Sequence, residues 1–202
     1  MVRILLLSGY RGAGKDTYLE ELLFRKESWC VYGLDEQLMK EYIYIPGTRL
    51  SLMDRVKVEV SKALGLPLSP TQIDQLKDQL KVGGRMLREY IYDSIGKTMM
   101  KDKYFYEKQI IKDLEDDLYI INDHKMNVTL DYLKEQSIPF ATCRVFRGDG
   151  PLPPPAEKSE HGLDKLVTDF VLVPKDNHEQ EIEKVIQIFP QYKNYKLLYK
   201  PE

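Results

Sequence analysis

Cysteine is nearly missing from this chain: Cys30 and Cys143 lie far apart, with no CxxC and no Cys/His spacing. That usage points to reduced, buried thiols in a cytoplasmic-type compartment and argues against a zinc site. An excess of charge of either sign is missing too, since 30 basic residues meet 32 acidic ones for a formal net charge of −2. Overall electrostatics therefore draw the chain to neither nucleic acid nor membrane, and any basic site must be local. No apolar run reaches membrane-spanning length. The opening "MVRILLLSG" is too short for a signal h-region and reads as a first strand. Internal repeats are absent, and the one biased tract is a proline-rich stretch.

What is present suits one α/β domain with a core of ordinary size: 43% hydrophobic and 31% charged residues over 202 positions. Val2 to Ser8 reads as a buried strand, and Thr17 to Arg25 as a helix with Tyr18, Leu19, Leu22 and Leu23 as apolar positions. "WCVYGL" is a second strand and "DEQLMKEY" a helix. Ser51 and Ser69 are helix caps, the first with Gly65 as its stop, the second with Pro70 at the first helical position and Ile73, Leu76 and Leu80 inward. "GGRMLREYIYDSIGKTMM" and "KYFYEKQIIKDLED" read as further helices. Asp117 to Asp123 is an apolar strand ending on an acid. It is followed by helical "VTLDYLKEQ", strand "PFATCRVF", strand "TDFVLVP" and helix "HEQEIEKVIQIF". Strand–helix alternation predicts a parallel sheet covered on both faces. On this reading residues 1–202 form one domain, with a core at 1–35 and 117–190. An all-helical insertion spans about 48–115, and a loop of lid-like character about 147–162.

The stretch that carries chemistry is "SGYRGAGKDT". Gly9, Tyr10, Arg11, Gly12, Ala13, Gly14, Lys15, Asp16 and Thr17 lie at a predicted strand end and open a predicted helix. In parallel sheets ligands bind outside the carboxyl ends of strands. Glycines let the backbone turn its N–H groups toward a phosphate, the helix adds its positive end, and Lys15 reaches the β- and γ-phosphates. Gly9 through Gly14-Lys15 meets GxxxxGK, but Asp16 stands where the strict pattern has Ser or Thr, and Thr17 supplies a hydroxyl one place later. Asp16 can hold a magnesium-bound water or orient an acceptor; as an acid in a first helical turn it is also favoured by the helix dipole alone.

This loop resembles the "SGxxxSGKDT" of deoxynucleoside monophosphate kinases from large phages and large DNA viruses, and is similar to that of the related animal-type phosphomevalonate kinases. Further segments are similar in the same order. "GLDEQLMKEY" resembles "FADxLK". "GGRMLREYIYDSIG" with "KDKYFYEKQI" resembles a helix "RxLxQxxGxxxR" and the following "DxxW". "IINDHKMNVTLDYL" resembles "SDxRxxxE", and "EKSEHGLDKLVTDFVLV" a late "HxSExxL" segment. The resemblance implies a P-loop NTPase fold, a nucleoside-monophosphate-kinase-like three-layer sandwich with a central parallel sheet and a helical acceptor-binding insertion. It also implies ATP and Mg2+, with Asp16 and Thr17 toward the metal. Asp35, Lys40, Arg85, Arg88, Asp123, Lys125 and Glu160 would then face the acceptor, and Arg147 would be a lid arginine acting on the transferring phosphoryl group. Arg85 and Arg88, one turn apart, are equally readable as solvated arginines, and Asp123 as a helix N-cap. Lys101 and Lys125 stand where relatives carry arginine, Phe105 or Tyr106 where they carry tryptophan, and lysine lacks arginine's bidentate fork.

The implied reaction is γ-phosphoryl transfer to a (deoxy)nucleoside monophosphate, with a small-molecule nucleotide as partner. "SEHGLD" is similar instead to the phosphomevalonate kinases, and keeps that acceptor open. A reading of another class is an ATP-binding switch or scaffold using "PLPPP" as a polyproline II ligand. A homodimer is an expectation carried by the resemblance alone, and the host cytoplasm is the compartment if the viral resemblance holds.

Overall fold

The computed structural model describes residues 1–10, 12–24, 28–122, 127–147 and 164–202, apart from the side chains of residues 22–24. In chain order the elements are β1 (Arg3–Ser8), α1 (Lys15–Phe24), β2 (Trp29–Gly33), α2 (Glu36–Tyr42), β3 (Thr48–Leu50), α3 (Leu52–Ala63) and α4 (Pro70–Leu76). A hairpin of β4 (Lys81–Val82) and β5 (Arg85–Met86) follows, then α5 (Leu87–Lys101), α6 (Phe105–Ile111), β6 (Leu118–Ile121) and α7 (Asn127–Glu135). The chain closes with β7 (Phe140–Val145), β8 (Phe170–Pro174), α8 (His178–Ile188), a 3-10 turn at Pro190–Tyr192 and β9 (Lys196–Tyr199). These divide into two compact units, Met1–Leu50 with Leu114–Glu202, and Ser51–Asp113.

The first unit is an α/β sandwich on a mostly parallel seven-stranded sheet, ordered β3-β6-β1-β7-β8-β2-β9. The five strands from β3 to β8 run parallel. Strands β2 and β9 join antiparallel at the far side, which departs from the all-parallel expectation. The reason is physical: a fully buried apolar run such as "WCVYG" has the same composition in either direction, and its direction is set by the partner it meets. The short β3 and the terminal β9 were not expected either. Both are edge strands too short or too exposed to show a buried run.

Alternation across the sheet separates two cores. Leu5, Leu7, Val31, Val145, Phe170 and Leu172 face Tyr18 and Leu19 of α1 and Met39 and Tyr42 of α2. Cys30, Tyr32, Val171 and Val173 face the other way, against Ile182 and Val185 of α8 and Tyr192. Both cysteines are free and buried, and burial pushes the Cys143 thiol well above its ordinary value. On the second face the Tyr32 hydroxyl and His178 Nδ1 share a buried hydrogen bond of 2.7 Å.

The second unit packs α3, α4, α5 and α6 around Val56, Val60, Ile73, Leu87, Ile91 and Tyr106. Ser51 caps α3 by accepting from Asp54 N at 3.2 Å. That helix stops in a Schellman arrangement, Leu66 N to Ser61 O and Gly65 N to Lys62 O. Ser69 and Gln72 form a capping box around Pro70. Two expectations fail here. Helix α4 ends at Leu76 rather than running past Leu80, and "GGRM" is not helical. Gly83 and Gly84, at φ +56° and +84°, make a two-residue turn of the kind that closes a hairpin, so Arg85 sits on a strand. Lys57 joins α3 to α4 through Asp54 (3.0 Å) and Asp74 (2.7 Å). Burial disfavours its ammonium, but the hydrogen bonds it donates to these carboxylates outweigh that and hold its pKa above the ordinary lysine value.

Candidate functional site

Strand β1 lies between β6 and β7, with Ile4 to Leu7 at most 1% exposed. Its register, Leu6 beside Ile121 and Ser8 beside Arg144, fixes what surrounds the chain as it leaves the sheet at Gly9. A Cβ at Gly9 would lie 2.6 Å from the Val145 carbonyl oxygen, so the loop turns directly over the end of β7, which only glycine allows. Gly14, at φ +90°, sits against the Trp29 ring, where a Cβ would meet Cη2 at 2.9 Å. Trp29 is 8% exposed and packs edge-on to Tyr18, with ring centroids 6.0 Å apart. The indole is thus a floor under the loop. Sequence reasoning treated it as an ordinary strand residue.

Inside the turn, Ala13 N donates to Tyr10 O at 3.0 Å. Lys15 opens α1 and folds its ammonium back to donate to Gly9 O at 2.6 Å and Tyr10 O at 3.0 Å. The cation is therefore held beside the glycine turn at the helix's positive end, an arrangement suited to anions. Asp16 and Thr17 are exposed in the first turn of α1. Asp16 Oδ1 accepts from Asn122 Nδ2 at 2.6 Å. The expected strand-end acid, Asp123, lies outside the described residues; its neighbour Asn122, one residue past β6, is the side chain seen at Asp16. The parallel pairing of β6 with β1 is what brings them together, over a sequence separation of 106 residues.

A second cluster borders the loop. Arg144 on β7 is 2% exposed, and its Nη2 pairs with Asp164 Oδ1 at 2.5 Å. Its guanidinium also stacks on Phe189 (4.6 Å), Tyr10 (5.3 Å) and Phe146 (5.5 Å). The Tyr10 hydroxyl donates to the same Asp164 oxygen at 2.8 Å. Burial first, and that hydrogen bond second, raise the Tyr10 pKa above the usual tyrosine range. Arg144 is therefore a buried packing and pairing residue, while Arg147, three positions on, is exposed just past β7.

The remaining expected residues are placed as follows. Asp35 is the N-cap of α2, accepting from Leu38 N at 2.9 Å. Lys40 pairs with Glu36 at 2.7 Å on the surface. In the second unit Arg85 pairs with Asp93 (2.8 Å) and Glu89 (3.4 Å) and stacks on Tyr90 at 4.7 Å. Arg88, on α5, meets Asp78 at 3.3 Å. The two arginines thus stand on different elements, a strand and a helix, rather than on one helical face. Tyr104 and Tyr106 are buried in packing, and Tyr92 is 68% exposed. Arg11, Lys125 and Glu160 lie outside the described residues, as does most of the loop expected at 147–162.

No protein-family model matches the chain, and no curated protein matches it. No described helix is long and apolar enough to cross a membrane. Among the described residues no group of three or more His, Cys, Asp or Glu could hold a metal by itself.

Proposed function

We propose that this protein is an ATP- and magnesium-dependent phosphotransferase of the nucleoside monophosphate kinase type, with a P-loop fold and a (deoxy)nucleoside monophosphate as acceptor. The observation that carries this reading is the loop itself. Gly9 to Gly14 leave the central strand, and Lys15 places its ammonium at the turn as the helix begins. The strand order, with β1 between β6 and β7, suits the reading because the loop then opens at the carboxyl edge of the sheet.

Magnesium fits the residues present. It is bound mainly by water and phosphate oxygens with one or two carboxylates, so a three-acid cluster is not required, and Asp16 and Thr17 offer hard oxygen donors beside the loop. Bound there, held by Asp16 and Thr17, it would supply positive charge against the charge of the triphosphate. Lys15 exchanges its contacts to Gly9 and Tyr10 for phosphate oxygens, where its charge offsets what develops on the transferring group. Arg147, exposed past β7, is assigned the same electrostatic task. Arg85 and Arg88 are assigned to the acceptor phosphate, for which each must exchange a carboxylate partner. The acceptor oxygen is already ionised, so positioning and cations, rather than a general base, lower the barrier.

The test is ADP release with magnesium-ATP against dAMP, dGMP, dCMP, dTMP, dUMP, the ribonucleotides and phosphomevalonate. Turnover with a nucleotide, falling on the order of 10²–10³-fold in Lys15→Ala, is the expected result. Turnover with phosphomevalonate alone keeps the loop and replaces the acceptor. ATP binding with no turnover on the whole panel leaves a binding switch, and absence of ATP binding overturns the reading.

A further inference from the structure

Asn122 is 5% exposed at the carboxyl end of β6. Its Nδ2 donates to Asp16 Oδ1 at 2.6 Å, and because a carboxylate can only accept, this contact fixes which way the amide faces. The other end of the same amide, Oδ1, is buried and has no hydrogen-bond partner among the described residues. Buried amide oxygens are almost always satisfied, so an orphan beside a loop, a helix start and a carboxylate calls for a donor that arrives on binding. The ten-residue helix α1 opens at this point, with Lys15 and Asp16 in its first turn.

We propose that Asn122 is a positioning residue for a hydrated divalent cation at this loop: its amide N–H holds the Asp16 carboxylate, and its Oδ1 accepts from a water carried by the cation. The inference rests on reading the loop as the ATP site and extends it to a residue to which the sequence resemblance assigns no role. The chemistry favours an amide in this position. Water on a divalent cation is a strengthened O–H donor, so it satisfies the orphan oxygen. A neutral carbonyl oxygen accepts that bond without placing a second negative charge beside Asp16 and the triphosphate. The amide's donor end also leaves the second oxygen of Asp16 to face the hydrated ion. Partners of this outer kind orient the groups nearer the metal, and their loss typically weakens metal binding by about 10–100-fold.

The experiment measures ATP affinity by calorimetry in magnesium and again in EDTA, for the wild type, Asn122→Ala and Asn122→Ser, with thermal melting to confirm that each variant folds. The wild type is expected to bind ATP more tightly with magnesium. Asn122→Ala is expected to lose about tenfold or more of that increment while keeping its affinity in EDTA. Asn122→Ser, which restores an oxygen acceptor, is expected to recover part of it. Should Asn122→Ala melt below the assay temperature, Asn122→Ser against wild type carries the same comparison. An undiminished magnesium increment in the folded variants overturns the proposal while leaving the loop reading in place. If wild type binds no ATP in either buffer, the loop reading fails and this inference with it.

Discussion

Arg144 and Arg85 carry the same guanidinium and meet the same kind of acid, but in regions that give the pairing opposite weight. Arg144 lies within the sheet of the first unit at 2% exposure, enclosed by Tyr10, Phe146 and Phe189. Arg85 stands on the hairpin of the second unit, with its side chain and those of Glu89 and Asp93 each nearly half exposed. The same contrast runs through both units. Five of the seven strands in the first are buried along nearly their whole length, and the ion pair at β7 is enclosed. Helices in the second bury one face each and line their rims with pairs such as Lys77–Asp74, Arg88–Asp78 and Lys108–Asp102. Burial, not the number of charged contacts, decides which of them matter.

Removing one partner of each pair tests this most severely. Asp164→Ala takes the carboxylate from a buried guanidinium and is expected to cost about 3–5 kcal/mol in chemical denaturation. Arg85→Ala is expected to leave the melting midpoint unchanged, because solvent already competes for that pair. An equal loss for both would refute the distinction.

Two core truncations sharpen it. Leu172→Ala and Ile73→Ala each empty a fully buried site and should cost about 2–5 kcal/mol. The difference is in where the loss shows. Hydrogen exchange is expected to accelerate across the sheet in the first case, and within 51–113 first in the second. Uniform acceleration in both would mean that the two units open together.

Two glycines at positive φ give a smaller contrast. Gly14→Ala adds a Cβ at 2.9 Å from the Trp29 ring, so strain and overpacking together should cost roughly 2–4 kcal/mol. Gly65→Ala meets nothing within 4 Å and should cost only the backbone strain, about 1–2 kcal/mol. Thermal melts of the two variants decide it.

A further effect is expected in alkali. Burial pushes the Tyr32 hydroxyl from its ordinary value of 10.0 up to about 12, so the folded chain keeps this proton after the unfolded chain has released it. Its contribution is complete below pH 10 and is lost as pH rises toward about 12. Tyr32→Phe should flatten that part of the stability profile, measured by denaturant midpoints from pH 9 upward. It should also lower stability at neutral pH by about 1–3 kcal/mol, since the hydrogen bond to His178 is buried.

Much of the local structure was legible because its causes are local. Ser51 and Ser69 cap the helices they precede, Gly65 ends α3, and Gly9, Gly12 and Gly14 lie between a buried strand and the helix that Lys15 opens. The hairpin at 81–86 was missed because a helical stripe on either side hid the two glycines between. The direction of β2 and the existence of β3 and β9 were illegible for a different reason. Strand pairing joins residues far apart in the chain, and apolar composition says only that a strand is buried, not beside what. The site divides along the same line. Lys15, Asp16 and Thr17 announce themselves by spacing, whereas Trp29 beneath Gly14, Asn122 at Asp16 and the Tyr10–Asp164–Arg144 cluster carry no spacing signal.

By itself, then, the sequence determined the helix caps, the buried strands, the glycine turn and the cation that follows it, because each depends on side-chain chemistry within a few residues. Only the tertiary structure decided the order and direction of the strands, which arginine is buried and which is exposed, and that Asn122 meets Asp16. Those depend on which distant segments pair, and the free energy of pairing is settled by burial and complementary hydrogen bonding between partners that no local pattern names.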